Sequence, residues 1–198
     1  GKTTSCDFAS NLFQKVCPDL EVGASTQSAE DIVTTMAKDT FVRCFTNDQG
    51  EQVEVRPMAM FISEFKDFIA YNPIRMLNFL TNMYDRKVFK AGTVKRGAEN
   101  IINPSLNILA CENPDQLIGF MKNNVVTGGF SRRIIIVHEP NYGEPKPFIE
   151  IPPSGRQAWA DVEQRLHDVR PLTGTFKWTE SGKKFYEPWY REKHKAMA

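Results

Sequence analysis

Residues 1–8 read Gly-Lys-Thr-Thr-Ser-Cys-Asp-Phe, and the fold turns on whether Gly1, Lys2, Thr3 and Thr4 are the second half of a phosphate-binding loop or four small polar residues. A loop of the form G-x-x-x-x-G-K-[ST] needs its last glycine for close backbone approach. It needs its lysine for the β- and γ-phosphates, and its Ser or Thr for Mg²⁺. The tripeptide alone carries little weight, so its surroundings decide. Cys6, Ala9, Leu12, Phe13 and Val16 recur on one helical face before Pro18 ends the pattern, which places the motif where a phosphate loop must be, at a helix start.

Behind that helix, strand and helix patterns alternate. "LEVGAS" reads as a short strand, and Ser28 with Asp31 predicts a capping box for a helix carrying Ile32, Val33 and Met36. "TFVRCF" and "QVEVRP", separated by the turn residues of "TNDQGE", predict a hairpin near 41–56. "MAMFISEF" reads as a separate buried strand ending at Ser63 and Glu64. A helix then begins at Phe65, and Pro73 opens another that buries Ile74, Leu77, Leu80 and Tyr84. Residues 85–103 read as a polar loop, "SLNILACEN" as a buried strand, Pro114 as a helix start, and "RRIIIVHEP" as a third buried strand after a Gly-Gly turn. The fold class that follows is α/β, with a mostly parallel three-layer sheet.

The 198 residues are enough for one domain with a small appendage, and 41% hydrophobic against 25% charged residues is ordinary globular composition. No apolar run approaches the ~20 residues of a membrane span, so no membrane association is expected. A net charge of +1 leaves any nucleic-acid surface to local patches. The four cysteines form no C-x-x-C pair and read as reduced thiols of a cytoplasmic protein. The three histidines sit in no nucleophile motif, which sets aside Ser-His-Asp and Cys-His hydrolysis. Five of the 12 prolines fall within 139–155. The expected organisation is a core over 1–140, a Pro-rich linker over 141–153 and a helical segment over 154–198.

Several positions carry candidate chemistry. Glu64, at a strand end, can polarise water, or act only as a carboxylate at a helix N-terminus. Ser63 beside it can hold a metal-bound water. Asn113 can sense a γ-phosphate, or cap the helix that follows. Arg132 and Arg133 follow a tight turn, and a guanidinium fork suits phosphate oxygens; on a strand only one of the two would face a given site. Arg86, Lys87, Lys90, Lys95 and Arg96, with Phe89 among them, suit a single nucleic-acid strand through phosphate pairing and base stacking, and otherwise form a solvated loop.

Taken in order, GKTT, "MAMFISEF", "LTNMYDRKVFKAGT", "INPSLNILACENPDQL", "TGGFSRRIIIV" and "LTGTFKWTESGKKFYEPWY" resemble the P-loop ATPases of phages, plasmids and integrated elements, of the virulence-associated or primase-helicase type. The resemblance spans nearly the whole chain. It implies a RecA-like core with a small helical C-terminal extension, whose first strand and first half of the phosphate loop precede Gly1. It further implies ATP and Mg²⁺ as cofactors, with Gly1, Lys2, Thr3 and Thr4 on phosphate, Thr3 and Ser63 on the metal, Glu64 activating water, Asn113 as sensor, and Arg132 or Arg133 as finger. The implied partners are single-stranded DNA, further copies of the chain and a primase domain or protein, in a bacterial or phage-infected cell. Ser63 stands where that family commonly has Asp. A catalytically inert nucleotide-binding or assembly module is the competing expectation. A DNA-packaging ATPase would bring clustered nuclease carboxylates, which the sequence lacks.

Overall fold

The computed structural model describes residues 2–93, 97–120, 129–138, 153–172 and 177–197. Helix α1 runs Lys2–Val16, strand β1 is Val22–Gly23, and α2 is Ala29–Met36. The predicted capping box closes both ways, with the Ser28 hydroxyl accepting from Asp31 N–H and the Asp31 carboxylate accepting from Ser28 N–H. Ile32, Val33 and Met36 are buried as read. Strand β2 (Arg43–Thr46) leads through a turn into β3 (Gln52–Ile62). That connection is too short for a parallel crossover, so the two form an antiparallel hairpin.

Here the structure corrects the sequence reading. "QVEVRP" and "MAMFI" are one strand, unbroken at Pro57. Ala59 N–H donates to Glu21 on the β1 edge, so Pro57, of the same parity, turns its missing donor to that edge just before the β1 pairing begins.

Short helix α3 (Phe65–Ile69) precedes α4 (Pro73–Asp85), whose first turn is capped by Asn72 Oδ1 accepting from Arg75 N–H. Helix α4 buries Met76, Leu77, Phe79, Leu80 and Met83, whereas Ile74 and Tyr84, expected inside, are exposed. Residues 85–103 are no loop: β4 (Val88–Thr93) and β5 (Gly97–Ile102) form an antiparallel two-stranded sheet. Next come β6 (Pro104–Ala110) and α5 (Pro114–Phe120). The predicted strand at 132–140 is absent among the described residues. Ser131–Arg133 form a 3-10 turn, residues 134–138 have no regular structure, and Ile135 and Val137 are 94% and 89% exposed. An apolar run does not by itself guarantee an interior place. Helices α6 (Pro153–Val169) and α7 (Glu180–Met197) complete the chain.

In the main sheet β1 and β6 flank β3, both parallel to it, with Val22 opposite Ala59 and Met60 opposite Ile108. Met58, Met60 and Ile62 of β3 point to one face and pack with the buried residues of α2 and α4. Phe61 points to the other face and meets Phe13 of α1 at 5.6 Å. Helices therefore cover both faces, as a parallel sheet requires.

Contacts divide the chain into two compact units, 1–44 with 54–172, and 45–53 with 173–198. In the first, α6 lies against α1 through Phe8 and Trp159, 3.9 Å apart, and through Lys15 and Glu163 at 2.7 Å. The expected boundary at 140 instead grouped residues 154–198 together. In the second unit Lys177 pairs with Asp48, and Trp178, Tyr186, Trp189 and Tyr190 form an exposed aromatic row.

Candidate functional site

Parallel strands end at one common edge, where loops converge and ligands of open α/β sheets are usually bound. At that edge the first turns of α1 dock onto the ends of β3 and β6. Buried Cys6 donates its S–H to the Ile62 carbonyl at 3.2 Å, and its sulfur lies 3.3 Å from that of Cys111. Burial and the neighbouring Cys111 push the Cys6 thiol up to about 11. The ladder runs on past the strands, with Cys111 N–H donating to Ile62 and Phe65 N–H donating to Cys111.

This juncture brings the first turns of α1 to the same edge of the sheet at which Glu64 and Asn113 follow the ends of β3 and β6. Gly1 and the side chains of Lys2 and Thr3 lie outside the described residues; Thr4 is exposed on the first turn. That turn contains no acidic residue, which suits an anion at the positive end of the helix dipole.

Glu64 occupies the N-cap position of α3 but makes no cap hydrogen bond with its side chain. It is exposed, and with half-buried Ser63 it lines a cavity of about 440 Å³. Ser28, Asn72 and an exposed Arg75–Glu30 ion pair line the same cavity.

Asn113 takes the simpler of its two roles. Its Oδ1 accepts from Asp115 N–H at 3.2 Å and its carbonyl accepts from Leu117 N–H at 2.9 Å, so it caps α5. The carboxylate that reaches across is Glu112, which accepts from Lys66 N–H at 2.7 Å and so caps α3. Pairing across two strand ends is a tertiary fact with no local sequence signal.

The arginines separate. Arg133 is held by the Asp85 carboxylate through Nε at 3.1 Å and through Nη2, donates Nη1–H to the Gly129 carbonyl at 2.5 Å, and lies 5.7 Å over the Tyr84 ring. Donating to the Asp85 carboxylate raises the pKa of this guanidinium above its ordinary value. Arg132 is exposed and forms no ion pair among the described residues.

Arg86, Lys87 and Lys90 are exposed along the start of the β4–β5 hairpin and form no ion pair among the described residues, while Lys95 and Arg96 lie outside them. The acidic residues of that stretch are engaged elsewhere, Asp85 with Arg133 and Glu99 with the Thr34 hydroxyl at 3.4 Å. Phe89 is not a stacking surface for bases. It packs on the core, edge-on to Phe79 with ring centres 5.5 Å apart.

Comparison with family models, with curated proteins and with solved structures yields no match. Among the described residues no cluster of three His, Cys, Asp or Glu forms a metal cage, and no helix is long and apolar enough to cross a membrane.

Proposed function

We propose that the chain is an ATP-hydrolysing motor domain of RecA-like P-loop type, serving DNA replication of a mobile element as a helicase or primase-helicase. The observation that carries this reading is the docking of the first turns of α1 onto the ends of β3 and β6 through Cys6, Ile62 and Cys111. It brings the first turns of α1 to the sheet edge where the strand leading to Glu64 ends, which supports the reading because phosphate binding and water activation draw on these two separate stretches of sequence.

ATP with Mg²⁺ is the group this reading implies, and a helix start free of acidic side chains suits it. The N–H groups of that turn, Lys2 and Thr3 would hold phosphate and metal, and Ser63 a water of the metal shell. Bound metal supplies charge neutralisation. The chain's own part is to orient the phosphates and to take a proton from water at the Glu64 carboxylate, which no cap hydrogen bond occupies. Exposed Arg86, Lys87 and Lys90 form the surface for a single DNA strand.

ATP turnover with and without single-stranded DNA tests the proposal. Lys2→Ala should abolish turnover, and Glu64→Gln should lower kcat on the order of 100-fold or more with nucleotide affinity retained. Wild-type protein with no turnover under either condition would refute it. Ser63 favours one alternative, an inert assembly module. That alternative expects oligomer formation and partner binding to persist unchanged in Lys2→Ala.

A further inference from the structure

Cys6 and Cys111 stand 105 positions apart in sequence, yet their sulfurs lie 3.3 Å apart. Cys17 and Cys44 share no such contact among the described residues. The pair joins the first turns of α1 to the residue that follows β6, and each member is held from its own side. Cys111 is fixed by its backbone, whose N–H donates to the Ile62 carbonyl at 2.8 Å and whose carbonyl accepts from Phe65 N–H at 3.1 Å. Cys6 is fixed by its helix and by its S–H, which donates to the same Ile62 carbonyl at 3.2 Å. A disulfide needs its sulfurs about 2.0 Å apart, so from 3.3 Å each sulfur has to move by well under 1 Å, roughly, to form one.

The two sulfurs differ in access. Cys6 is 2% exposed, and its burial, with Cys111 beside it, pushes the thiol up to about 11, so it stays protonated at neutral pH. Cys111 is half-buried. A dissolved oxidant therefore meets Cys111 first, and Cys6 waits behind it.

We propose that Cys6 and Cys111 are a modification site, at which a hydroperoxide forms a reversible disulfide that ties the first turns of α1 to the end of β6. In the first step the Cys111 sulfur, as thiolate, attacks the outer peroxide oxygen and the O–O bond breaks. The departing oxygen takes the proton Cys111 gave up and leaves as alcohol, or as water from hydrogen peroxide, and Cys111 becomes a sulfenic acid. In the second step the Cys6 sulfur attacks the Cys111 sulfur, the S–O bond breaks, and the Cys6 proton leaves with the hydroxyl as water. Two thiols are oxidised to one disulfide, and their two electrons reduce the O–O bond. A dithiol reverses the change by exchange. No step uses nucleotide, so the inference is independent of the ATPase reading.

The physical effect follows from where the bond falls. The N–H groups of a helix's first turn lack partners within the helix, which makes its start a loosely fastened end. Oxidation adds a covalent tie near that end and closes a span of 105 residues, which restrains the unfolded chain.

Peptide mapping of the full chain after treatment with hydrogen peroxide, with free thiols then blocked by alkylation, tests the proposal. A linked pair of peptides holding Cys6 and Cys111, lighter by two hydrogens, should dominate in the folded chain and revert with dithiothreitol. In the chain unfolded in urea the links should spread over the other cysteine pairs. Cys6 recovered as an alkylated thiol while Cys111 is oxidised, or links as mixed in the folded chain as in urea, overturns the proposal. The mapping needs no variant, so it decides the matter even where a cysteine variant folds poorly. In Cys6→Ser the Cys111 sulfenic acid has no second thiol to meet, and dimedone should capture it on the order of tenfold more than in wild type. Equal capture in the two chains overturns the role given to Cys6. In urea denaturation the disulfide should raise the ratio of folded to unfolded chain roughly 30- to 1000-fold over the reduced form, and a lowered ratio overturns the tie as a fastening of α1.

Discussion

Gly23 shows how tightly single atoms are placed. It lies buried on β1 opposite Met60, and a Cβ there would come 1.9 Å from the Met58 methyl and 3.1 Å from Met60 Cγ. Met58 is itself 1% exposed, so the displaced methyl has only packed core to enter. Gly23→Ala should destabilise the chain by about 1–3 kcal/mol, read from urea denaturation. Cys6 makes a prediction of a different kind. Its folded pKa is raised from 9.0 to about 11, so its share of stability is complete below pH 9 and is lost as pH rises toward 11. Denaturation midpoints across pH 8–11 should fall more steeply for wild type than for Cys6→Ala; parallel curves would show that burial of this thiol is not what titrates.

At the scale of elements, the hairpin of β4 and β5 carries the nucleic-acid prediction. Replacing exposed Lys87 and Lys90 by Ala should weaken single-strand binding at every sequence alike and reduce the salt slope by about 0.7 for each lysine. A slope unchanged in the double variant would move the binding surface elsewhere. The same stretch shows where the sequence is hard to read. Helix starts were legible because their signals are local, as with Ser28 and Asp31 or Asn72 and Pro73. The β4–β5 hairpin was hidden by the charges on its exposed positions, and Pro57 looked like a strand end because the direction of its missing N–H depends on partners far along the chain. At the site, Glu64 was legible as a strand-end carboxylate, whereas the split between Arg132 and Arg133 depends on Asp85, 48 residues away, and had no local mark.

Across the whole molecule, the decisive departure from expectation is the place of α6. Helical spacing predicts the helix but not its neighbour, and the Pro-rich composition around residue 140 suggested that it stood apart. Phe8 against Trp159 joins it instead to the unit that contains α1. A double-mutant cycle of Phe8→Ala and Trp159→Ala should give a coupling of about 0.5–1.5 kcal/mol. A coupling of zero would mean that α6 lends the first unit no stability through this pair.

That same contact has an optical consequence. The half-buried indole of Trp159 lies within van der Waals reach of a ring two turns from the start of α1, while Trp178 and Trp189 are 59% and 47% exposed. With those two changed to Phe, the remaining emission comes from a lamp on α6 set against α1, and its colour and intensity follow any movement of α1 away from it without an attached dye.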